Sequence, residues 1–161
     1  MINFSRLSAA WLRWTAWSGM WNPSVVADDG QETAEFKSDD QTYHVKHEGN
    51  WWVVDETNDR GRVYPAVAMF SSFDLAERFL LLDWALLMRD DLASGSLGRD
   101  LYELGYSTSV TVTEVRKGFV EIRCGVGAAV LPVLNATVFS HLMLMPTEEI
   151  EKLVNVGMPP S

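Results

Sequence analysis

Hydrophobic positions recur at spacings of three and four over two long stretches of this chain. In residues 3 to 21, Phe4, Leu7, Trp11, Trp14 and Trp17 or Met20 fall on one helical face, with Ser, Arg and Ala between them. Asn22-Pro23-Ser24 ends that amphipathic helix, because proline disfavours helical geometry in the residue before it. The second stretch predicts a helix over 73–89. Leu75, Phe79, Leu82 and Leu86 form its stripe, and Leu80, Leu81, Trp84, Leu87 and Met88 widen it until only Arg78 and Asp83 interrupt an apolar circumference. Ser71 or Ser72 can cap it, with Asp74 and Glu77 at the positive end of its dipole and Arg89 in the last turn. Such a helix needs cover on more than one side. Its uncharged run breaks at Asp83 and stops at Arg89, short of the roughly 20 apolar residues a bilayer span requires.

Elsewhere the pattern alternates. Thr33–Lys37 reads as a short strand, and Thr42–Glu48 and Trp51–Glu56 flank Gly49-Asn50 as a tight hairpin. On it, Tyr43, Val45 and His47 share a face, with Trp52 beside His47 and Val54 beside Val45. Val63–Phe70 leads as a strand into the central helix, Pro65 placing its start at an edge or bulge. Ser94-Gly95-Ser96-Leu97-Gly98 reads as a flexible link. Val110–Arg116 and Phe119–Cys124 form a second hairpin, with Thr113 opposite Ile122 and Val115 opposite Val120. That register sets Glu114 against Glu121, a repulsive pair that must slip or find a basic neighbour. Residues 125–132 are a loop or irregular strand. Asn135 or Thr137 starts a helix through Met145, and Pro146-Thr147-Glu148-Glu149 restarts one carrying Ile150, Leu153 and Val154. Pro159-Pro160-Ser161 reads as a frayed end. The expectation is an α+β fold, one domain over 1–161, in which an antiparallel sheet packs against a central buried helix, with N- and C-terminal helices.

Composition adds a bias in charge. Of a net charge of -9 over 161 residues, residues 28–59 hold -8, from ten acids against Lys37 and Lys46. A field of that sign repels nucleic acid and anionic membranes and steers a basic partner, or simply keeps an apolar domain soluble. Seven Trp are more than a core of this size needs, which leaves some for a contact surface. The single Cys124 excludes an intrachain disulfide, and the N-terminal helix, with Arg6 and Arg13 inside it, lacks the layout of a cleavable signal, so a cytoplasmic location is expected. His44 and His47 lie three apart on a strand and face opposite ways, so they cannot share a metal. Gly125-x-Gly127 lacks the third glycine of a dinucleotide turn, and no serine sits in a Gly-x-Ser-x-Gly elbow. No catalytic set, cofactor or metal is expected.

The order of pieces carries a resemblance: the aromatic strand Asn50-Trp51-Trp52-Val53-Val54-Asp55-Glu56, the turn with Asp59-Arg60-Gly61, the strand entering Ser71-Ser72-Phe73-Asp74-Leu75-Ala76-Glu77-Arg78-Phe79-Leu80, a hairpin, and Ala136-Thr137-Val138-Phe139-Ser140-His141-Leu142. Over residues 41–154 it resembles the immunity-protein 61 family of actinobacterial polymorphic-toxin systems, which includes the antitoxin of the tuberculosis necrotizing toxin. The resemblance implies a cytoplasmic, non-enzymatic inhibitor that binds the catalytic domain of a cognate toxin, an NAD glycohydrolase in that relative's case, and blocks its active site. No nucleic acid or membrane partner is implied. A small acidic secretion chaperone is the alternative. From the residues themselves, the expected contact surface is the acidic end of the aromatic hairpin, with Asp39, Asp40, Asp55, Glu56, Asp59 and Arg60; the 94–99 and 125–129 loops are the competing site.

Overall fold

The computed structural model describes residues 2–158; the expected frayed end at 159–161 lies outside them. The fold is α+β, with eight strands and six helices among the described residues. Two compact units divide the chain, the first ending at Met69 and the second beginning at Phe70.

In the first unit, α1 (Ser5–Ser18) is followed by β1 (Ser24–Asp28), β2 (Thr33–Lys37), β3 (Gln41–Glu48), β4 (Trp51–Asn58) and β5 (Val63–Phe70, its last residue counted with the second unit), ordered in space as in sequence. The helical stripe does what its spacing predicts: Phe4, Leu7, Trp11 and Trp14 are buried, above Ala34, Phe36, Tyr43, Val45, Trp52 and Val54 of the sheet. Ring edges meet faces at Phe4–Trp52 (6.2 Å) and Trp11–Tyr43 (5.6 Å), and the Trp11 indole N–H donates to the Lys37 carbonyl at 3.0 Å. The predicted hairpin register is observed, with Val45 opposite Val54 and His47 opposite Trp52, whose rings stack at 4.6 Å. β1 was not expected. Of its five residues only Val25 is even half-buried, so it lacks the alternation by which a strand is recognised.

In the second unit, α2 (Phe73–Met88) buries ten of its sixteen residues, as a helix apolar on most sides must. Ser72 caps it, its Oγ accepting from Leu75 N at 3.2 Å. Phe79 lies between Phe70 (5.3 Å) and Phe139 (5.5 Å, edge to face). The two arginines at the flanks of the apolar run fasten α2 to the C-terminal segment. Arg78 donates from Nη1 to the Met143 carbonyl (2.8 Å) and from Nε to Thr147 Oγ1 (3.3 Å). Arg89, itself buried, donates from Nη1 to the carbonyls of Val154 (3.0 Å) and Val156 (2.6 Å). These are free carbonyls at the end of α6 (Thr147–Val154), which a cation satisfies. Arg89 Nη2 also meets Asp91 Oδ2 at 2.6 Å, and that hydrogen bond holds the Asp91 carboxyl below its ordinary pKa.

The expected flexible link is ordered. α3 (Asp90–Ala93) and α4 (Arg99–Glu103) flank it, and Leu92 and Leu97 are buried. The second hairpin, β6 (Thr111–Arg116) and β7 (Phe119–Cys124), takes the slipped register: a bulge at Val115 sets Glu114 opposite Val120 and Thr113 opposite Glu121. The slip separates the two glutamates, and Glu121 meets Arg123 instead, at 3.3 Å. Residues 127–132 form a regular strand, β8 (Gly127–Pro132), antiparallel to β7. Its first residue has φ 136°, and a side chain there would approach Ser71 Oγ to 2.4 Å and Leu75 to 3.0 Å, so the glycine marks a close approach to the start of α2. α5 (Val133–Phe139) begins earlier than expected, because Thr137 does not cap: its hydroxyl donates back to the Val133 carbonyl at 2.7 Å, inside the helix. Cys124 is half-buried and free.

The Phe70–Phe79–Phe139 cluster sets the first expected outcome. Phe79→Ala should destabilise by about 3–5 kcal/mol in urea titration, the range for aromatic deletions from a core. A midpoint equal to wild type would mean that α2 is not the centre of this unit.

Candidate functional site

The first unit's sheet has two ends, and its register says which turns share each. Gln41 pairs with Asn58 and Ser24 with Lys37, so the β2–β3 turn, the β4–β5 turn and the segment joining α1 to β1 meet at one end. The β1–β2 and β3–β4 turns occupy the other. The acidic segment read from the sequence is divided between them. Asp39, Asp40, Glu56 and Asp59 lie at the first end, Asp28, Asp29, Glu32 and Glu48 at the second, and Glu35 and Asp55 on the face turned away from α1.

At the second end the acids serve the fold. Asp28 Oδ1 accepts from Gln31 N (3.0 Å), and Asp29 Oδ1 accepts from Phe4 N (3.1 Å) at the positive end of α1. Glu32 bonds His47, and Glu48 pairs with Lys46 at 3.1 Å. At the first end Asp39 Oδ2 accepts from Asn22 Nδ2 at 2.8 Å. Asp40, Glu56 and Asp59 make no side-chain hydrogen bond or ion pair among the described residues. Burial pushes the Glu56 carboxyl above its ordinary pKa. This end is mixed in sign, because Lys37, Arg60 and Arg62 lie there too; Arg62 stacks on Tyr64 with its guanidinium 4.9 Å from the ring centroid. Asn58 holds the turn, its Oδ1 accepting from Arg60 N (3.0 Å) and Arg62 N (2.9 Å), which leaves Asp59 and Arg60 exposed.

Asp55 belongs to a different category from its neighbours in the expected site. Its side chain is only 15% exposed, pairs with Lys46 at 3.2 Å and accepts from Ala66 N at 2.7 Å. Ala66 follows Pro65 and has φ 49°, a left-handed backbone within β5, and the Asp55 carboxylate receives its amide. Glu48 and Asp55 together raise the Lys46 pKa, chiefly by accepting hydrogen bonds from its ammonium, Glu48 first. Of the six residues expected at the contact surface, the structure therefore brings Asp39, Asp40, Glu56, Asp59 and Arg60 to one end of the sheet and withdraws Asp55 into its framework.

None of the residues expected at this end is aromatic. The structure places Trp21 there, 75% exposed, immediately after the helix whose stripe buries Trp11 and Trp14. The signal was available: Trp21 falls one position beyond the last member of the stripe and directly before Asn22-Pro23.

The opposite face of the sheet carries a shallow depression of about 250 Å³ lined by Val26, Asp28, Thr33, Glu35 and His44. His44 Nε2 lies 3.0 Å from Thr33 Oγ1, while His47 is on the α1 face against Trp52. His141 Nε2 bonds the Gly105 carbonyl at 2.6 Å. Among the described residues no three His, Cys, Asp or Glu stand together as metal ligands, and no helix is long and apolar enough to cross a membrane.

No family model matches the chain, and no curated protein sequence does. Among solved structures the fold is similar to Rv3902c from M. tuberculosis, with a TM-score of 0.68 over 93% of this chain and 87% of that one, at 14% identity. At that identity the likeness is one of fold.

The carboxylates set two expected outcomes. Asp55→Ala should lower stability by about 1–3 kcal/mol, since it removes a carboxylate that accepts from the Ala66 amide and pairs with Lys46, and Asp55→Asn should recover most of this. Asp40→Ala should stay within about 0.5 kcal/mol; equal losses for the two alanine variants would remove the distinction. Glu56 has the opposite sign. Its raised pKa means that the native state holds the proton more firmly than the unfolded chain, so stability falls as pH rises from about 4.3 through the raised value. Glu56→Gln should accordingly raise the melting temperature at pH 7 and lose that advantage near pH 4, as measured by thermal scans across pH.

Proposed function

We propose that this protein is a non-enzymatic inhibitor that binds the catalytic domain of a toxin, in the manner of an immunity protein, with the end of the sheet around Asp39, Asp40, Glu56, Asp59 and Arg60 as its contact surface. The observation that carries the reading is that Asp40, Glu56 and Asp59 are held at one end of the hairpin sheet with no side-chain partner among the described residues, Glu56 against the penalty of its burial. Charge kept where it does not serve the fold is a mark of a contact surface. The resemblance of the 41–154 segment to the immunity-protein 61 family supports the same reading and supplies the toxin class, an NAD glycohydrolase. The fold shared with Rv3902c is compatible with it.

The inhibitor would act by occupying the toxin's substrate cleft, and its net charge of -9 favours encounter with a cationic domain. The test is NAD consumption by a panel of purified bacterial NAD glycohydrolase toxin domains, each with and without an equimolar amount of this protein. Stoichiometric protection of NAD by at least one domain is expected; none protected at micromolar concentrations would reject the reading. For the protected pair, the triple variant Asp40→Asn/Glu56→Gln/Asp59→Asn should associate about ten-fold more slowly at low salt. The difference should fade toward 1 M salt, where the Debye length is about 3 Å. Equal rates across salt would shift the contact surface to the 94–99 or 125–129 loops.

A further inference from the structure

Trp21 is held by its backbone and left open at its side chain. α1 closes at Gly19 (φ 76°), where Gly19 N donates to the Ala16 carbonyl (3.3 Å) and Met20 N to the Thr15 carbonyl (2.9 Å). The Ser38 hydroxyl then reaches Met20 Sδ at 3.7 Å, and Asp39 N donates to the Trp21 carbonyl at 2.9 Å. Asn22 takes the left-handed conformation (φ 53°) and donates from Nδ2 to Asp39 Oδ2. Both neighbours of Trp21 are thus pinned to the 38–40 turn, and the indole itself remains 75% exposed. Ordinary folding economy would turn so large an apolar group inward, as it does Trp11 and Trp14 in the same stretch.

We propose that Trp21 is the anchor of the contact surface, and that it receives an arginine or lysine side chain from a cationic face of a folded partner protein. This rests on the reading of this end of the sheet as a protein-binding surface and adds its central residue and the chemistry it recognises. An indole presents a face that attracts a cation, and guanidinium groups stack on it readily. Asp40, adjacent in the turn and without a side-chain partner among the described residues, supplies a carboxylate to the same cation; Asp39 keeps an oxygen not used by Asn22. Lys37 alternates with Phe36, which is buried beneath α1, so it belongs to the opposite face of the sheet; Arg60 and Arg62 belong to the β4–β5 turn, and the charges of the turn to which the Trp21 backbone is bonded, Asp39 and Asp40, are negative. The pinned backbone means that little order has to be imposed on this segment when a partner binds.

The experiment measures binding of immobilised protein, as wild type, Trp21→Ala, Trp21→Phe and Leu134→Ala, to a panel of purified toxin catalytic domains. The panel contains NAD glycohydrolases, nucleases and deaminases. Leu134, 57% exposed in the second unit, is the control for apolar surface in general. For a domain that binds, Trp21→Ala should weaken binding about thirty-fold or more, mainly through faster dissociation. Trp21→Phe should weaken it less, Leu134→Ala should leave it unchanged, and all variants should melt like wild type. Arginine and lysine scanning of the bound domain should find one position whose loss is not additive with Trp21→Ala. The same pattern with a nuclease or deaminase would uphold the anchor and reject the NAD glycohydrolase reading. An NAD glycohydrolase bound equally by wild type and Trp21→Ala would reject the anchor and leave that reading standing. Failure of every domain to bind, or Trp21-dependent binding to phosphatidylcholine vesicles instead, would overturn the anchor.

Discussion

A helix that is apolar around most of its circumference cannot rest on one surface, and the second unit is arranged by that requirement. α2 needs neighbours on several sides, yet each neighbour brings helix ends or turns whose backbone carbonyls lose water as they close in. Arg78 and Arg89 resolve the conflict. Each lies at the margin of the apolar run, carries enough aliphatic stem to pack, and ends in donors that take up carbonyls at Met143, Val154 and Val156. The residues that look like interruptions of the hydrophobic pattern are what let the rest of it be enclosed.

The first unit solves a simpler problem with one helix and one sheet face, and the surplus from that solution is where function is read. Aromatic rings fill the space between α1 and β2–β4, and the sheet's alternation then leaves acids and bases on its turns and on its other face. Most of those charges close bonds within the fold: Asp29 on the residue that precedes α1, Asp55 on the Ala66 amide, Glu48 on Lys46. What distinguishes one end of the sheet is the residue of this accounting, three carboxylates and an indole that the fold does not use.

Long periodic stretches were legible from the sequence because their information is local: the spacing of Leu75, Phe79 and Leu82 states a buried helix, and Gly49-Asn50 between alternating residues states a hairpin and its register. Features that depend on a distant partner were not. β1 is strand only because β2 pairs with it, β8 hides behind a glycine whose reason is the approach of Ser71 and Leu75, and Thr137 looks like a cap until its hydroxyl is seen bonding within the helix. The repulsion between Glu114 and Glu121 could be foreseen, but choosing slippage over a basic neighbour required the bulge at Val115. The same limit applied at the candidate site. The charge pattern locates the acidic segment, whereas sorting Asp55 from Asp40 required the hydrogen bond that Asp55 accepts from Ala66, eleven residues away.

The grip of Arg89 on the end of α6 has a consequence for how such a chain can diverge. Val156 is recognised by its carbonyl oxygen while its side chain stands in solvent, so the latch reads the path of the main chain and is blind to what hangs from it at that position. Substitutions at residue 156 can therefore accumulate freely, while loss or insertion of a single residue between 154 and 156 would carry the second carbonyl away from the guanidinium that holds the first. A fold secured in this way drifts in composition and keeps its spacing, so its kinship is recorded in lengths between elements more durably than in letters.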